Sequence, residues 1–321
     1  MKVELKKGRI LSGMRPTGNL HIGHLSVLEN WIRLQNEYQC FYAIADWHAL
    51  TTSFNETEVI QNNIIEMVLD WLSVGLDPKK SCLFVQSQVK QHAELHLLLS
   101  MITPLSWLER CPTYKDQLQQ LTSETKDITT YGFLGYPVLQ AADILVYKAD
   151  TVPVGEDQLP HLEMSREIAR RFNYLYGIAV FPEPKAKLAK ISLLPGLDKR
   201  KMSKSYNNYI SINEDSKTLA QKVKQMVTDP DRIRKTDLGN PQVCVVYNYH
   251  SIYNKSEVEE VEKQCKSGRI GCVDCKKKLS AQMELALSPF REKRQFYSNR
   301  PGLVKDILED GRATAEIIAE D

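Results

Sequence analysis

The first two-thirds of the chain alternates short apolar runs with longer amphipathic ones, the pattern of helices covering a mostly parallel sheet. Arg9 to Met14 reads as a first strand, ending in the turn Arg15-Pro16-Thr17-Gly18-Asn19. Leu20 to Gln35 follows as a helix with Leu25, Leu28, Trp31 and Ile32 on one side. Cys40 to Ala45 reads as a buried second strand, and Thr57 to Val74 repeats its apolar residues at helical spacing. Ser81 to Gln86 supplies a further strand, and His92 to Thr103 a further helix. From Gln117 to Tyr131 the chain is polar and rich in Thr, Ser and Gln, which predicts an exposed insertion with a helix of its own. Beyond Ser205 strand signals fade, and Lys217 to Val227, Glu257 to Gln264 and Cys275 to Ser298 read as helices. The pattern predicts an α/β fold: a doubly wound parallel sheet over residues 1–210, then a smaller all-helical domain over 211–321 whose last helix packs back on the first.

Composition narrows the class. The length, 321 residues, exceeds the size at which single cores usually stop growing, in keeping with two domains. Hydrophobic residues make up 42% and charged residues 26%, so a sizeable core is available and disorder is excluded. Met1 to Lys7 has no apolar run behind its charges, and no stretch of about 18 apolar residues occurs, which predicts a cytoplasmic protein without a membrane span. A net charge of +2 neither announces nor excludes a nucleic-acid partner, because local basic clusters decide that.

Two short segments carry phosphate chemistry. The first strand, the turn with Pro16 and Gly18, and a helix opening at His21 turn backbone N–H groups and a positive helix end toward an anion. In His21-Ile22-Gly23-His24 the two histidines are three apart, so they share a helical face and can donate to phosphate oxygens, while Gly23 leaves room for a base or ribose. Alone, this string is equally a helix start with two incidental histidines. The second segment, Lys201-Met202-Ser203-Lys204-Ser205, is a compact set of cations and hydroxyls in a loop after Pro195-Gly196. Alone, it is equally a solvated charge run.

Together, in this order and about 180 residues apart, the segments resemble the paired motifs of class I aminoacyl-tRNA synthetases. The resemblance implies a Rossmann-like catalytic domain with ATP, accompanied by Mg²⁺, across the C-terminal edge of the sheet. It places Arg15, Pro16, Thr17, Gly23, His24 and Lys201 to Ser205 around ATP, with His21, His24, Lys201 and Lys204 stabilising charge on the α-phosphate and the departing pyrophosphate.

For the amino acid, Tyr136-Pro137-Val138-Leu139-Gln140-Ala141-Ala142-Asp143-Ile144-Leu145-Val146-Tyr147 is the informative stretch. Pro137 suits a first helical turn, and Tyr136, Gln140, Asp143 and Tyr147 then make a polar stripe on an apolar helix. That stripe is either a wet helix edge or a pocket wall in which Asp143 accepts a donor buried on a substrate ring. A phenol O–H and an indole N–H both qualify. Leu11, where tyrosyl-tRNA synthetases typically place a tyrosine, offers nothing to a phenol and suits an indole. The segment Val152 to Gln158 also resembles the tryptophanyl enzymes, in which the residues matching Gln158 and Tyr136 contact the amino group. Resemblance to the bacterial tryptophanyl-tRNA synthetases extends over nearly the whole chain, including Asp46-Trp47-His48-Ala49 and His161 to Asn173. It implies a tryptophan pocket of Leu11, Gly13, His48, Tyr136, Gln140, Asp143 and Gln158, a ribose contact of Gly155, Glu156 and Asp157, and a phosphate contact from Lys115. It also implies a homodimer acting on L-tryptophan, ATP and tRNA(Trp). Two departures stand out: His21 and His24 replace a common threonine and asparagine, and Gln140 replaces a methionine.

Of seven cysteines, Cys40, Cys82 and Cys111 are scattered, while Cys244, Cys265, Cys272 and Cys275 are separated by twenty, six and two residues. In a cytosolic chain such a cluster points to metal before disulfide, and four thiolates suit zinc or an iron–sulfur cluster equally. A subset of bacterial tryptophanyl enzymes carries a 4Fe–4S cluster on a similar pattern ending in Gly-Cys-Val-Asp-Cys-Lys-Lys, matching Gly271 to Lys277. The resemblance therefore implies a 4Fe–4S cluster, with Zn²⁺ as the alternative. Lys263, Lys266, Arg269 and Lys276 to Lys278 surround these cysteines with positive charge, either a solvated face or a surface for RNA phosphates. In the family that helical domain reads the tRNA anticodon.

Overall fold

The computed structural model describes residues 6–111, 114, 128–188, 194–204 and 206–321. Lys115, Ser205 and most of the Gln117 to Tyr131 insertion lie outside the described residues.

Among the described residues five strands form one parallel sheet in the order β3-β2-β1-β4-β5: β1 is Arg9–Met14, β2 Gln39–Ile44, β3 Ser81–Val85, β4 Thr151–Val154 and β5 Lys185–Leu188. β1 and β2 run in register from Arg9 opposite Gln39 to Met14 opposite Ile44. Alternation then sorts their side chains onto two faces. Ile10, Cys40, Tyr42, Ile44, Leu83 and Val85 enter one core with Trp31, Trp71 and Leu279, while Leu11, Phe41, Ala43 and Phe84 enter a second with Tyr147, Leu162 and Ala315. Burial on both faces explains why these strands read as nearly continuous apolar runs.

The helices in chain order are α1 Leu25–Glu37, α2 Asp46–Ser53, α3 Thr57–Val74, α4 Gln91–Ile102, α5 Leu105–Glu109, α6 Tyr131–Leu134 and α7 Tyr136–Leu145, followed by α8 Leu159–Tyr176, α9 Ser216–Gln225, α10 Val245–Tyr253, α11 Val258–Lys266, α12 Cys272–Ser298 and α13 Pro301–Glu320. The helix expected from Leu20 begins instead with a tight turn, Ile22–His24, because Ile22 N–H donates to Ile210 O at 3.0 Å and the first helical bonds start later. Asp215 caps α9 by accepting the amides of Lys217 and Thr218, each at 3.0 Å. The first core is shared across the chain: Leu279, Met283 and Leu287 of α12 and Val304 and Leu308 of α13 pack with strand residues.

α13 lies against β3, one of the sheet's two edge strands, covering a backbone that otherwise offers pairing to another chain. Glycine makes the approach possible, since a Cβ at Gly311 would stand 1.8 Å from Leu83 O. Gly311→Ala is therefore expected to destabilise the fold by about 3 kcal/mol, the cost of overpacking outweighing the gain in helix propensity. The midpoint of guanidinium unfolding measures it; an unchanged midpoint refutes the contact.

Candidate active site

β1 has β2 on one side and β4 on the other, so the chain winds outward from it in both directions and leaves a crevice at the C-terminal ends of β1 and β4. A cavity of about 410 Å³ occupies that crevice. All seven residues expected to contact the amino acid line it: Leu11, Gly13, His48, Tyr136, Gln140, Asp143 and Gln158. Arg15 and Gly155 line it as well. Tyr136 stands edge-on to the rings of His48 and His161, with centroids 5.2 and 5.0 Å away.

Asp143 is the most heavily bonded group of the wall. Its Oδ2 accepts His48 Nε2–H at 2.9 Å and its Oδ1 accepts His92 Nδ1–H at 2.6 Å, while the Gln86 amide spans both oxygens at 2.8 and 2.9 Å. His92 Nε2 in turn lies 2.7 Å from the Tyr147 hydroxyl. Burial opposes ionisation of Asp143, but the charge of His92 and the hydrogen bonds from both histidines hold its carboxyl well below the usual carboxylate range. Gln86 and His92, both fully buried, escaped the sequence reading. A polar residue at the C-terminal end of a strand was the available signal for Gln86; His92, at the start of an apolar helix, gave none.

The two phosphate motifs meet beside this cavity. Lys204 Nζ donates to Thr17 O at 3.0 Å, laying the second loop on the turn after β1. Asn208 shapes that loop: its Oδ1 accepts Ser203 N–H at 2.8 Å and its Nδ2 donates to Asp198 Oδ1 at 2.7 Å and to Lys201 O at 3.2 Å. Met202 is buried while Lys201 is exposed. The Gly23 position is filled differently from the expectation of a base or ribose: a Cβ there would lie 2.9 Å from the His21 ring and 3.6 Å from Met202 Sδ, so the glycine makes room for protein. Glu156 and Asp157 form the turn Glu156–Gln158 after β4, with Gln158 Nε2 donating to Asp157 Oδ2 at 2.9 Å.

The His21 and His24 rings lie against each other with centroids 3.9 Å apart and planes tilted by 41°. Burial, the His24 ring and Lys204 bring His21 down to about 3; burial brings His24 down to about 4, opposed by its hydrogen bond to the His21 carbonyl and reinforced by Lys204. Both are neutral at pH 7, donors but not cations. Because their folded values lie below the ordinary 6.5, the unfolded chain binds more protons; the stability they contribute is complete above pH 6.5 and is lost as pH falls through about 4 and 3. The unfolding midpoint is expected to drop over that window in the native chain and less steeply in a His24→Asn variant, as thermal scans at stepped pH will show.

Away from this cavity, Cys265 lies at the end of α11, Cys244 before the first turn of α10, and Cys272 and Cys275 on the first turn of α12. Burial raises the thiol of Cys275 to about 12, with the charges of Cys244, Cys265 and Cys272 adding to it, so the four lie within electrostatic reach of one another. Arg232 Nη1 donates to Cys265 Sγ at 3.7 Å, and a Cβ at Gly239 would stand 2.6 Å from the same sulfur. Among the described residues, however, no three His, Cys, Asp or Glu side chains stand close enough to hold an ion. The quartet has the soft donors an iron–sulfur or zinc site requires, gathered in one region but not at ligand distance.

The family described as "tRNA synthetases class I (W and Y)" matches residues 4–288. A tryptophan–tRNA ligase of Thermotoga maritima is 52% identical, over 97% of this chain and 95% of its own, and one of Aquifex aeolicus is 44% identical, over 97% and 96%. This chain belongs to the class I tryptophanyl-tRNA synthetases. A tryptophanyl-tRNA synthetase from Campylobacter jejuni, solved in complex with ADP and tryptophan, superposes with a TM-score of 0.88 at 34% identity, over 97% of this chain and 96% of that one. The described residues include no helix long and apolar enough to cross a membrane.

Proposed function

We infer that this synthetase activates L-tryptophan with ATP and then passes the tryptophanyl group to the terminal ribose of tRNA(Trp). The observation that carries the reading is the cavity wall, in which apolar Leu11 faces the same space as the buried Asp143 carboxylate. An indole needs an apolar slot and one acceptor for its N–H; a phenol placed against Leu11 loses a partner for its hydroxyl. The Gln86 amide spans both Asp143 oxygens, so it yields one of them to the indole without leaving a donor bare.

In the activation step a tryptophan carboxylate oxygen bonds to the α-phosphorus as the bridging oxygen leaves with pyrophosphate. Mg²⁺ bound with ATP neutralises phosphate charge. Neutral His21 and His24 donate N–H groups, and Lys201 and Lys204 bring positive charge. Arg15, Pro16, Thr17, Met202 and Ser203 border the nucleotide, and Gly155, Glu156 and Asp157 its ribose. The helical region after residue 210 reads the anticodon with Lys263, Lys266, Arg269 and Lys276 to Lys278. Cys244, Cys265, Cys272 and Cys275 hold a 4Fe–4S cluster, with Zn²⁺ as the alternative, which cross-links that surface. Exposed Leu97, Leu98, Met101 and Leu105 support pairing with a second copy of the chain.

The test is tryptophan-dependent exchange of labelled pyrophosphate into ATP, followed by charging of tRNA(Trp), with iron, sulfide and zinc measured on the same anaerobic sample. Exchange driven by tyrosine and not by tryptophan overturns the substrate. Colourless protein with stoichiometric zinc overturns the iron cluster.

A further inference from the structure

Both phosphate motifs are tied to one helix of the C-terminal region. Arg294, near the end of α12, donates Nε–H to Asp70 Oδ1 at 2.8 Å and pairs through Nη2 with Glu66. Asp70 is fully buried on α3, and its other oxygen accepts the Leu20 amide at 2.9 Å, immediately before His21. One turn earlier on α12, Arg291 donates Nη1–H to Glu214 O at 2.9 Å and pairs with Glu284. Glu214 belongs to the segment that leaves the lysine loop. Its Oε2 accepts Ser211 N–H at 3.1 Å, and the Ser211 hydroxyl donates to Leu20 O at 3.2 Å. The amides of Ile212 and Ile22 complete the seam, bonding to Leu20 O and Ile210 O, both at 3.0 Å. The two arginines thus reach the two halves of one small knot around Leu20, where the chain enters its first motif.

We propose that Arg291 and Arg294 are positioning residues for adenylate formation, fixing from helix α12 the relative placement of the His21–His24 segment and the lysine loop. The inference rests on the adenylation reading above and goes beyond it in making α12, a helix of the C-terminal region, a support of the activation site. The physical reason is that Leu20 is held, in the described hydrogen bonds, by residues all distant in sequence, Asp70, Ser211 and Ile212. Its amide is bonded to a buried carboxylate whose counter-charge comes from α12, so loss of that charge leaves Asp70 unpaired and drives it toward protonation or water. A shift of about 1 Å in a positioned group costs about a hundredfold in rate. Arginine is required at 294 because two donors, Nε and Nη2, serve two carboxylates at once; a lysine supplies a single point charge.

The experiment uses the full-length enzyme, with wild-type exchange activity established first, so that failure of the adenylation reading shows as an inactive wild type. Arg294→Met is expected to lower kcat for tryptophan-dependent exchange by about a hundredfold while the KM for tryptophan stays within about threefold, and Arg291→Met to lower kcat by about tenfold. Arg294→Lys is expected to restore only part of the loss. The double variant Asp70→Asn with Arg294→Met should regain about tenfold over Arg294→Met alone, because asparagine still accepts the Leu20 amide without stranding a charge. Each assay is run at a temperature where urea unfolding shows the variant folded. Unchanged kcat in folded Arg291→Met and Arg294→Met overturns the proposal, as does a loss in both that merely equals the unfolded fraction.

Discussion

Replacing Lys204 with Met is expected to lower kcat for pyrophosphate exchange by about 10²–10³-fold, the usual loss when one preorganised donor to a transition-state oxyanion is removed, with the KM for tryptophan nearly unchanged. Three observations support so large an effect. Lys204 Nζ stands 3.0 Å from Thr17 O, on the turn between β1 and the His21–His24 segment. Burial lowers the pKa of its ammonium, with Asp70 opposing, so the charge is partly stripped of water before any phosphate arrives. A charge in that state interacts more strongly with a developing anion than a hydrated one does. The loop that carries it is shaped in advance, since Asn208 bonds Ser203, Asp198 and Lys201 at once. Steady-state exchange at saturating tryptophan measures the loss. A kcat within fivefold of the native value removes Lys204 from the charge-stabilising set.

Asp143→Ala is expected to cost about 10³-fold in kcat/KM for tryptophan, and stability as well. The substitution removes the carboxylate proposed to accept the indole N–H and leaves His48, His92 and Gln86 donating into an apolar void. Each stranded buried donor costs about 1–3 kcal/mol, so the unfolding midpoint falls together with affinity. Asp143→Asn separates the two effects. It keeps the volume but replaces one acceptor with a donor, so a neighbouring histidine or the Gln86 amide must turn away. The variant is expected to fold while binding tryptophan at least about 10²-fold more weakly. Equilibrium titration of tryptophan fluorescence, with ATP binding followed separately, measures this. Native affinity for tryptophan in Asp143→Asn would sink the assignment of the carboxylate.

Much of this site was legible before any fold was known, and the reason is local. His21 to His24 and Lys201 to Ser205 are contiguous strings whose residue types state their chemistry, and Tyr136, Gln140 and Asp143 share a helix face by periodicity alone. The long elements were legible for the same reason. β1 matches its expected span, α3 runs from Thr57 to Val74 as its apolar spacing requires, and β2 and β3 end within a residue of expectation. Shorter elements were not. β5, at Lys185–Leu188, is four residues of mixed polarity and gains its strand form from pairing with β4. α10 sits among cysteines and tyrosines without a clear polar face, and its burial comes from neighbours far away in sequence.

The sequence by itself determined three of the five described strands, β1, β2 and β3, together with the order of the two motifs and the kinds of group lining the cavity. Only the tertiary structure decided which partners complete those groups: Gln86 and His92 behind Asp143, Asn208 inside the lysine loop, and Asp70 with Arg294 behind Leu20. The reason is physical. A buried polar atom must find a partner, but its sequence neighbours do not say which distant residue the fold will bring to it. Apolar periodicity is written every two or four residues along the chain, whereas the Arg294–Asp70 pair spans 224 positions and exists only once α12 lies on α3.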